Sequence, residues 1–177
     1  DPGDAAPELL DALEGYTVKT VVNTHCHCDH CGGNAGVLAK TGAELVCHED
    51  ELGLLRALPQ QGQMFGVPFE ASPDPDRYIK EGDTIAVGSV SFEVRDAPGH
   101  SPGHVVLVGD GFVIGGDVLF QGSIGRTDLP GGSYPQLIHS IKTKLLTLPD
   151  DTIVYSGHGP ETTIGAERRT NPFLVGA

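Results

Sequence analysis

Residues 24–33 read THCHCDHCGG, which packs three His, three Cys and one Asp into ten positions. Each of those side chains can ligate a metal, but they cannot all reach one ion, so the spacing has to decide between them. The stretch follows TVKTVVN (17–23), a β-branched run that reads as a strand. Alternate residues of an extended chain point the same way, so His25 and His27 can converge on one ion. Asp29 and His30 lie where the chain turns into a helix, and can serve a second ion nearby. The competing reading is a zinc knuckle made of Cys26, Cys28 and Cys31 with one His. Structural zinc sites usually draw pairs of ligands from separate knuckles. Here the only other Cys is Cys47, at the end of the next strand, which disfavours the knuckle.

Three later segments supply the missing partners. APGHSPGH (97–104) carries His100 in a Pro/Gly loop after a strand, VIGGDVLF (113–120) ends a hairpin strand on Asp117, and YSGHGPET (155–162) sets His158 after the last strand. One such residue at a strand end is ordinary; three, with the opening cluster, are hard to assign to packing. Seven ligands suffice for two ions if Asp117 bridges them. His25, His27 and His100 then serve one ion, and Asp29, His30 and His158 the other. Imidazole and carboxylate donors suit zinc, iron or manganese. His48 and His139 lack partner motifs and read as ordinary residues. His104 begins a strand, where its side chain is expected to point away from His100.

Around these positions the chain alternates helix and strand. PELLDALE (7–14) and GNAGVLAK (33–40), the latter stopped by Gly42, read as helices, and ELVC (44–47) as a strand. EDELGLLRAL (49–58) reads as a helix, and residues 59–77, with four Pro, as a long surface loop. The period then changes to two. TIAVGSVSFEV (84–94) and HVVLVGDGFVIGG (104–116) are hairpins turning at Gly88-Ser89 and Asp110-Gly111. A Gly-rich loop covers 121–133. Ser133 and Gln136 suggest a capping box for a helix striped by Leu137, Ile138, Ile141, Leu145 and Leu148. TIVYSG (152–157) is a final strand, with a short helix near 163–169. The pattern predicts a layered α/β domain, one unit over 1–177.

The motifs H-x-H-x-D-H, GHSPGH, GGD and GHGPET, in that order, resemble those of the metallo-β-lactamase superfamily, over essentially the whole chain. GSIGRTDLPGG (122–132) and GHGPETTIGAERRTNPFL (157–174) are similar to the branch of small hydrolases related to glyoxalase II, the hydroxyacylglutathione hydrolases. The resemblance implies an αββα sandwich with two divalent ions at one edge, zinc first and iron or manganese as alternatives. Members usually carry strands ahead of the DPG that opens this chain, so the first sheet is expected to lack its first strands. An exposed edge at 17–23 would then favour a homodimer. Glyoxalase II also has a C-terminal helical domain, which puts glutathione specificity in question for a chain ending NPFLVGA.

The implied reaction is hydrolysis of a small-molecule thioester or ester. A water bridging two divalent ions loses its proton near neutral pH, and the hydroxide attacks a carbonyl polarised by one of them. Asp29 is placed to steer that nucleophile as well as to bind. Arg126 is a candidate for holding a substrate carboxylate, and Asp128 for orienting a ligand imidazole. A persulfide dioxygenase, with one iron on two His and one Asp, shares the THCH start and the GRTD loop. Intact Asp29, His30 and GHGPET favour two metals and hydrolysis. A non-catalytic metal-binding or redox-sensing module centred on the Cys is a third reading, weaker than packing of Cys26, Cys28 and Cys31 as small hydrophobes.

Bulk properties narrow the partners. A net charge of −13, from 11 Lys+Arg against 24 Asp+Glu, argues against nucleic acid and against an anionic membrane surface. No apolar run approaches a membrane span. The Cys are bunched rather than spread as a disulfide framework would be, so a reducing cytoplasm is the expected compartment.

Overall fold

The computed structural model describes residues 1–4 and 7–175. The chain divides into two compact units, Asp1–Ile79 and Lys80–Ala177.

In the first unit, α1 (Pro7–Ala12) precedes β1 (Thr20–Val22), and α2 (Cys28–Cys31) and α3 (Asn34–Thr41) lead to β2 (Glu44–Cys47). A 3₁₀ turn at Glu49–Glu51 opens into α4 (Leu52–Arg56), followed by α5 (Leu58–Phe65) and β3 (Arg77–Tyr78). The strands form a parallel sheet in the order β1-β2-β3, with Val21 opposite Leu45 and Val46 opposite Arg77. Gly42, at φ 64, closes α3 with a left-handed residue, which a side chain would resist. Val21, Val37, Leu45, Leu55 and Leu58 build the core, and Cys26, Cys31 and Cys47 are buried with them.

The second unit begins with two hairpins, β4 (Thr84–Val87) to β5 (Val90–Asp96) and β6 (Val105–Val108) to β7 (Phe112–Gly116). A small hairpin, β8 (Leu119–Phe120) with β9 (Ser123–Ile124), leads to α6 (Tyr134–Ser140), which continues as a π-helical segment, Ile141–Leu145. β10 (Ile153–Ser156), β11 (Thr162–Thr163) and α7 (Ile164–Thr170) finish it. The main sheet runs β11-β10-β7-β6-β5-β4, antiparallel except for the parallel pairing of β10 with β7. Leu137, Ile141, Leu145 and Leu148 of the expected stripe are buried against Val106, Val113 and Val154 of the sheet.

Several local expectations are corrected. Residues 58–65, expected mostly as loop, form α5, because Pro59 falls in the first turn, where the missing N–H has no helical acceptor to lose. The end of the same stretch enters the sheet as β3. The first strand is shorter than 17–23, and β9 interrupts the Gly-rich loop. Ser133 is the N-cap of α6, but its side chain makes no capping bond. Pro135 in that first turn offers no N–H to cap, and the Ser133 N–H donates to Gly99 O at 2.7 Å, tying the helix start to the His100 loop. No helix among the described residues is long and apolar enough to cross a membrane.

Candidate metal centre

In the first unit the segment after β1 carries His25, His27, Asp29 and His30, with all three imidazoles buried. The His25 ring centroid lies 4.9 Å from that of His27, nearly perpendicular, and 4.1 Å from that of His30. Asp29 is exposed, its side chain 54% accessible, with Oδ2 3.9 Å from His30 Nε2. Asp1 was not anticipated. Its carboxylate accepts from the Thr24 N–H and hydroxyl, both at 2.6 Å, and Oδ2 lies 3.2 Å from His30 Nδ1. That contact turns His30 Nε2 outward, the usual service of a carboxylate behind a ligating imidazole. One donor atom each from Asp1, His25 and His30 lie within 4.8 Å of one another.

The backbone of this segment is clamped by side chains that sequence reasoning also missed. Glu51, fully buried, accepts from the Cys26 N–H at 2.7 Å. Gln61 of α5 accepts from the Cys28 N–H at 3.0 Å and donates to Cys26 O at 3.0 Å and Leu54 O at 2.8 Å. Asn23 donates to His30 O at 3.4 Å. No sequence pattern flags Glu51 or Gln61, since each acts on main-chain atoms far along the chain.

The four Cys are buried and form no disulfide. Cys31 donates through Sγ to His27 O at 3.2 Å. Hydrogen bonds with Cys31 and Cys47, then burial, hold the Cys26 thiol well above its ordinary pKa. Burial, then the Asp29 charge, raises that of Cys28. All four Cys lie in the apolar core of the first unit, which fits packing as small hydrophobes rather than a zinc knuckle.

In the second unit, Asp117 follows β7 and is buried. Its Oδ2 lies 3.6 Å from His100 Nε2 and 3.5 Å from His158 Nε2. These spacings exceed a hydrogen bond. With metal–ligand bonds of about 2.0–2.2 Å, two donors on one tetrahedral ion stand roughly 3.3–3.6 Å apart. One carboxylate oxygen therefore stands at ligand-pair distance from two different imidazoles, and the N/O donor set fits borderline cations such as zinc or iron. His100 is oriented by Arg126 O, 2.8 Å from its Nδ1. His158 is half exposed, its ring 6.4 Å from Phe120.

Two expectations change here. His104 does not turn away: it is fully buried, and its Nε2 accepts the Asp117 N–H at 3.0 Å. Asp128 was expected to orient an imidazole, yet the atom meeting His100 Nδ1 is the Arg126 carbonyl. The Asp128 carboxylate instead receives Arg126 Nε and Nη2, both at 2.8 Å. That bidentate bond, helped by a backbone hydrogen bond, lowers the Asp128 pKa to about 2. Behind the loop, buried Glu167 accepts from Thr162 Oγ1, the Gly122 N–H and Asn171 Nδ2 at 2.6, 2.9 and 2.8 Å.

A family model described as the metallo-beta-lactamase superfamily matches residues 1–158. The chain is 43% identical to the hydroxyacylglutathione hydrolase GloC of Haemophilus influenzae, over 98% of this chain and 85% of that one. It resembles a solved structure of BLEG-1 B3 metallo-beta-lactamase with a TM-score of 0.91 and 40% identity, covering 99% of this chain and 87% of the other. A second, TTHA1623 in a di-iron-bound form, matches with a TM-score of 0.89 and 40% identity, over 98% and 87% of the two chains.

Proposed function

Because this chain belongs to the metallo-β-lactamase superfamily, we propose that it is a binuclear metal-dependent hydrolase of thioesters such as hydroxyacylglutathione. The observation that carries the reading is Asp117, whose one oxygen stands 3.6 and 3.5 Å from the imidazoles of His100 and His158. In this reading His25, His27 and His100 hold one ion, Asp29, His30 and His158 the other, and Asp117 serves both. The resemblance to the GloC relative supports the thioester, and the di-iron form of TTHA1623 keeps iron beside zinc.

Bound divalent ions supply Lewis acidity, which polarises a carbonyl and acidifies water. The chain's own residues do the rest. The buried imidazoles bind through neutral nitrogens, with orientation imposed by Asp1 on His30 and by Arg126 O on His100. Asp29, open to solvent, accepts a proton from the attacking water and passes it to bulk. Arg126 offers its guanidinium to a carboxylate on the substrate, while Asp128 fixes the direction in which it is presented.

Elemental analysis combined with thioester and β-lactam hydrolysis on one preparation tests this reading. Two ions per chain and thioester turnover without oxygen uptake are expected. One iron per chain with oxygen consumed on a persulfide would overturn it in favour of a dioxygenase. Turnover of a β-lactam alone would overturn the thioester assignment, a reading that the BLEG-1 resemblance keeps in view.

A further inference from the structure

Asp117 is gripped along its backbone as well as beside its carboxylate. Its N–H donates to His104 Nε2 at 3.0 Å. A main-chain N–H can only donate, so Nε2 carries the lone pair and the ring proton sits on Nδ1. The antiparallel register that sets Leu107 opposite Ile114 brings residue 104 opposite residue 117 when it is continued. The His104 carbonyl accepts the Ala97 N–H at 2.7 Å, while the acceptor that meets the Asp117 N–H is the His104 side chain. The imidazole does this from a fully buried position, just before the apolar run Val105, Val106 and Leu107. A hydrocarbon would fill that space more cheaply unless the acceptor matters.

A second constraint acts on the same residue. Gly125 packs so closely on the Asp117 carbonyl that a Cβ there would collide with it. Gly116, immediately before Asp117, takes a φ of 48, in the left-handed region. The backbone of Asp117 is thus fixed on its N–H side by His104, on its carbonyl side by Gly125, and before it by a turn that favours glycine.

We propose that His104 is the positioning residue of the shared carboxylate: its Nε2 acceptor holds the Asp117 backbone so that Oδ2 stands between His100 and His158. The inference rests on the reading of Asp117 as a ligand to both ions. Since Asp117 serves both, loosening it weakens both sites, one more than the other, whereas loss of a ligand that serves one ion leaves the other in place.

The test is titration of the full-length metal-free protein with zinc, and with cobalt(II) as a visible-absorption probe, in four variants beside the wild type. His104→Phe keeps a ring but removes the acceptor, and should weaken binding of both ions by about 10–100-fold. His104→Gln can set an oxygen near the place of Nε2 and should stay within a few-fold of wild type. His104→Asn is too short to reach and should behave like the Phe variant. Unchanged affinity in His104→Phe, or equal losses in His104→Gln and His104→Phe, overturns the proposal, because ring packing rather than the acceptor would then matter. If the Phe variant does not fold, the Gln and Asn variants decide by the same comparison. Melting of each metal-free variant separates general destabilisation from lost ligand placement, since a purely structural role would lower the apo midpoint without a loss of affinity that Gln restores. Asp117→Asn is the control on the underlying reading: if it leaves zinc binding intact, the shared-ligand assignment fails, whatever His104 does.

Discussion

At the scale of single residues, the ligand set separates from its surroundings by what each substitution would remove. His27→Ala and His100→Ala each delete a buried imidazole, and each should lower metal content and abolish turnover, read by elemental analysis and thioester assay. Cys28→Ser should keep both ions, because the Cys28 side chain packs in the apolar core of the first unit. Metal loss in the Cys variant, with metal kept in the His variants, would reverse the assignment. Asp117→Asn should lose one ion more readily than the other and cut hydrolysis by orders of magnitude, since one remaining ion cannot both polarise the carbonyl and share the water. Asp128→Asn belongs to a milder class, because it frees the Arg126 guanidinium without touching a ligand; KM should rise a few-fold with kcat nearly kept. The Asp128 pKa, lowered to about 2 by the Arg126 bond, sets the pH range. A depressed carboxylate keeps its pairing above the ordinary carboxylate range and loses it only as pH falls towards that value, so the KM effect should be flat from roughly pH 5 to 9. A KM effect that fades near neutrality would mean another group is at work. The proposed ligands stood out in the sequence because His and Asp at strand ends form a pattern of residue types. His104 was misread because alternation along a strand predicts the face and not the environment. The His104 ring instead lies edge-on to that of His100, with centroids 6.0 Å apart, in a strand start that is buried throughout.

At the scale of elements, α5 in the first unit and α6 in the second each hold loops that carry proposed ligands. Gln61 reaches from α5 to both sides of Cys26–Cys28, so Gln61→Ala leaves the Cys28 N–H without its acceptor. A lost buried partner costs about 1–3 kcal/mol. Urea unfolding should show that loss, with slower metal uptake; an unchanged midpoint would mean that the clamp is dispensable. Gly99→Ala is expected to be worse, since φ 129 is left-handed and an added Cβ would strike the backbone of Leu137. It should lower yield and metal content together, while Gly82→Ala, at φ 86 with open space around it, should cost much less. The hairpins were readable because their turns are local: Gly88 and Gly111, at φ 62 and 78, adopt the conformations that glycine favours. The helix α5 was hidden because Pro59 signals a break unless it is known to lie in a first turn. β3 was hidden because two exposed residues carry no period, and it exists through its pairing with Val46 and Cys47. Ser133 had the capping sequence, but Pro135 occupies the first turn.

At the scale of the whole molecule, net charge and metal content are coupled. The chain carries a formal charge of −13, and two divalent ions held as proposed would cancel four of those charges, or three once a bound water is hydroxide. Metal-free protein should therefore run faster towards the anode on a native gel than the loaded form at equal size. Binding also stabilises the folded chain, because the scattered ligands offer no preformed site once it unfolds. At free metal about 1,000 times Kd, a single ion adds roughly 4 kcal/mol, and for a chain of this size each kcal/mol moves Tm by about 2–4 °C. Chelation should thus lower Tm by about 8–16 °C for each tightly held ion, and zinc or iron(II) should restore it. The shift and the change in mobility should titrate together, with a stoichiometry of two in the wild type and a weaker second step in Asp117→Asn. A Tm indifferent to chelation in fully metal-loaded protein would count against ligands integral to the fold. A stoichiometry of one in the wild type would leave Asp117 with a single ion to serve, and the shared role would be lost.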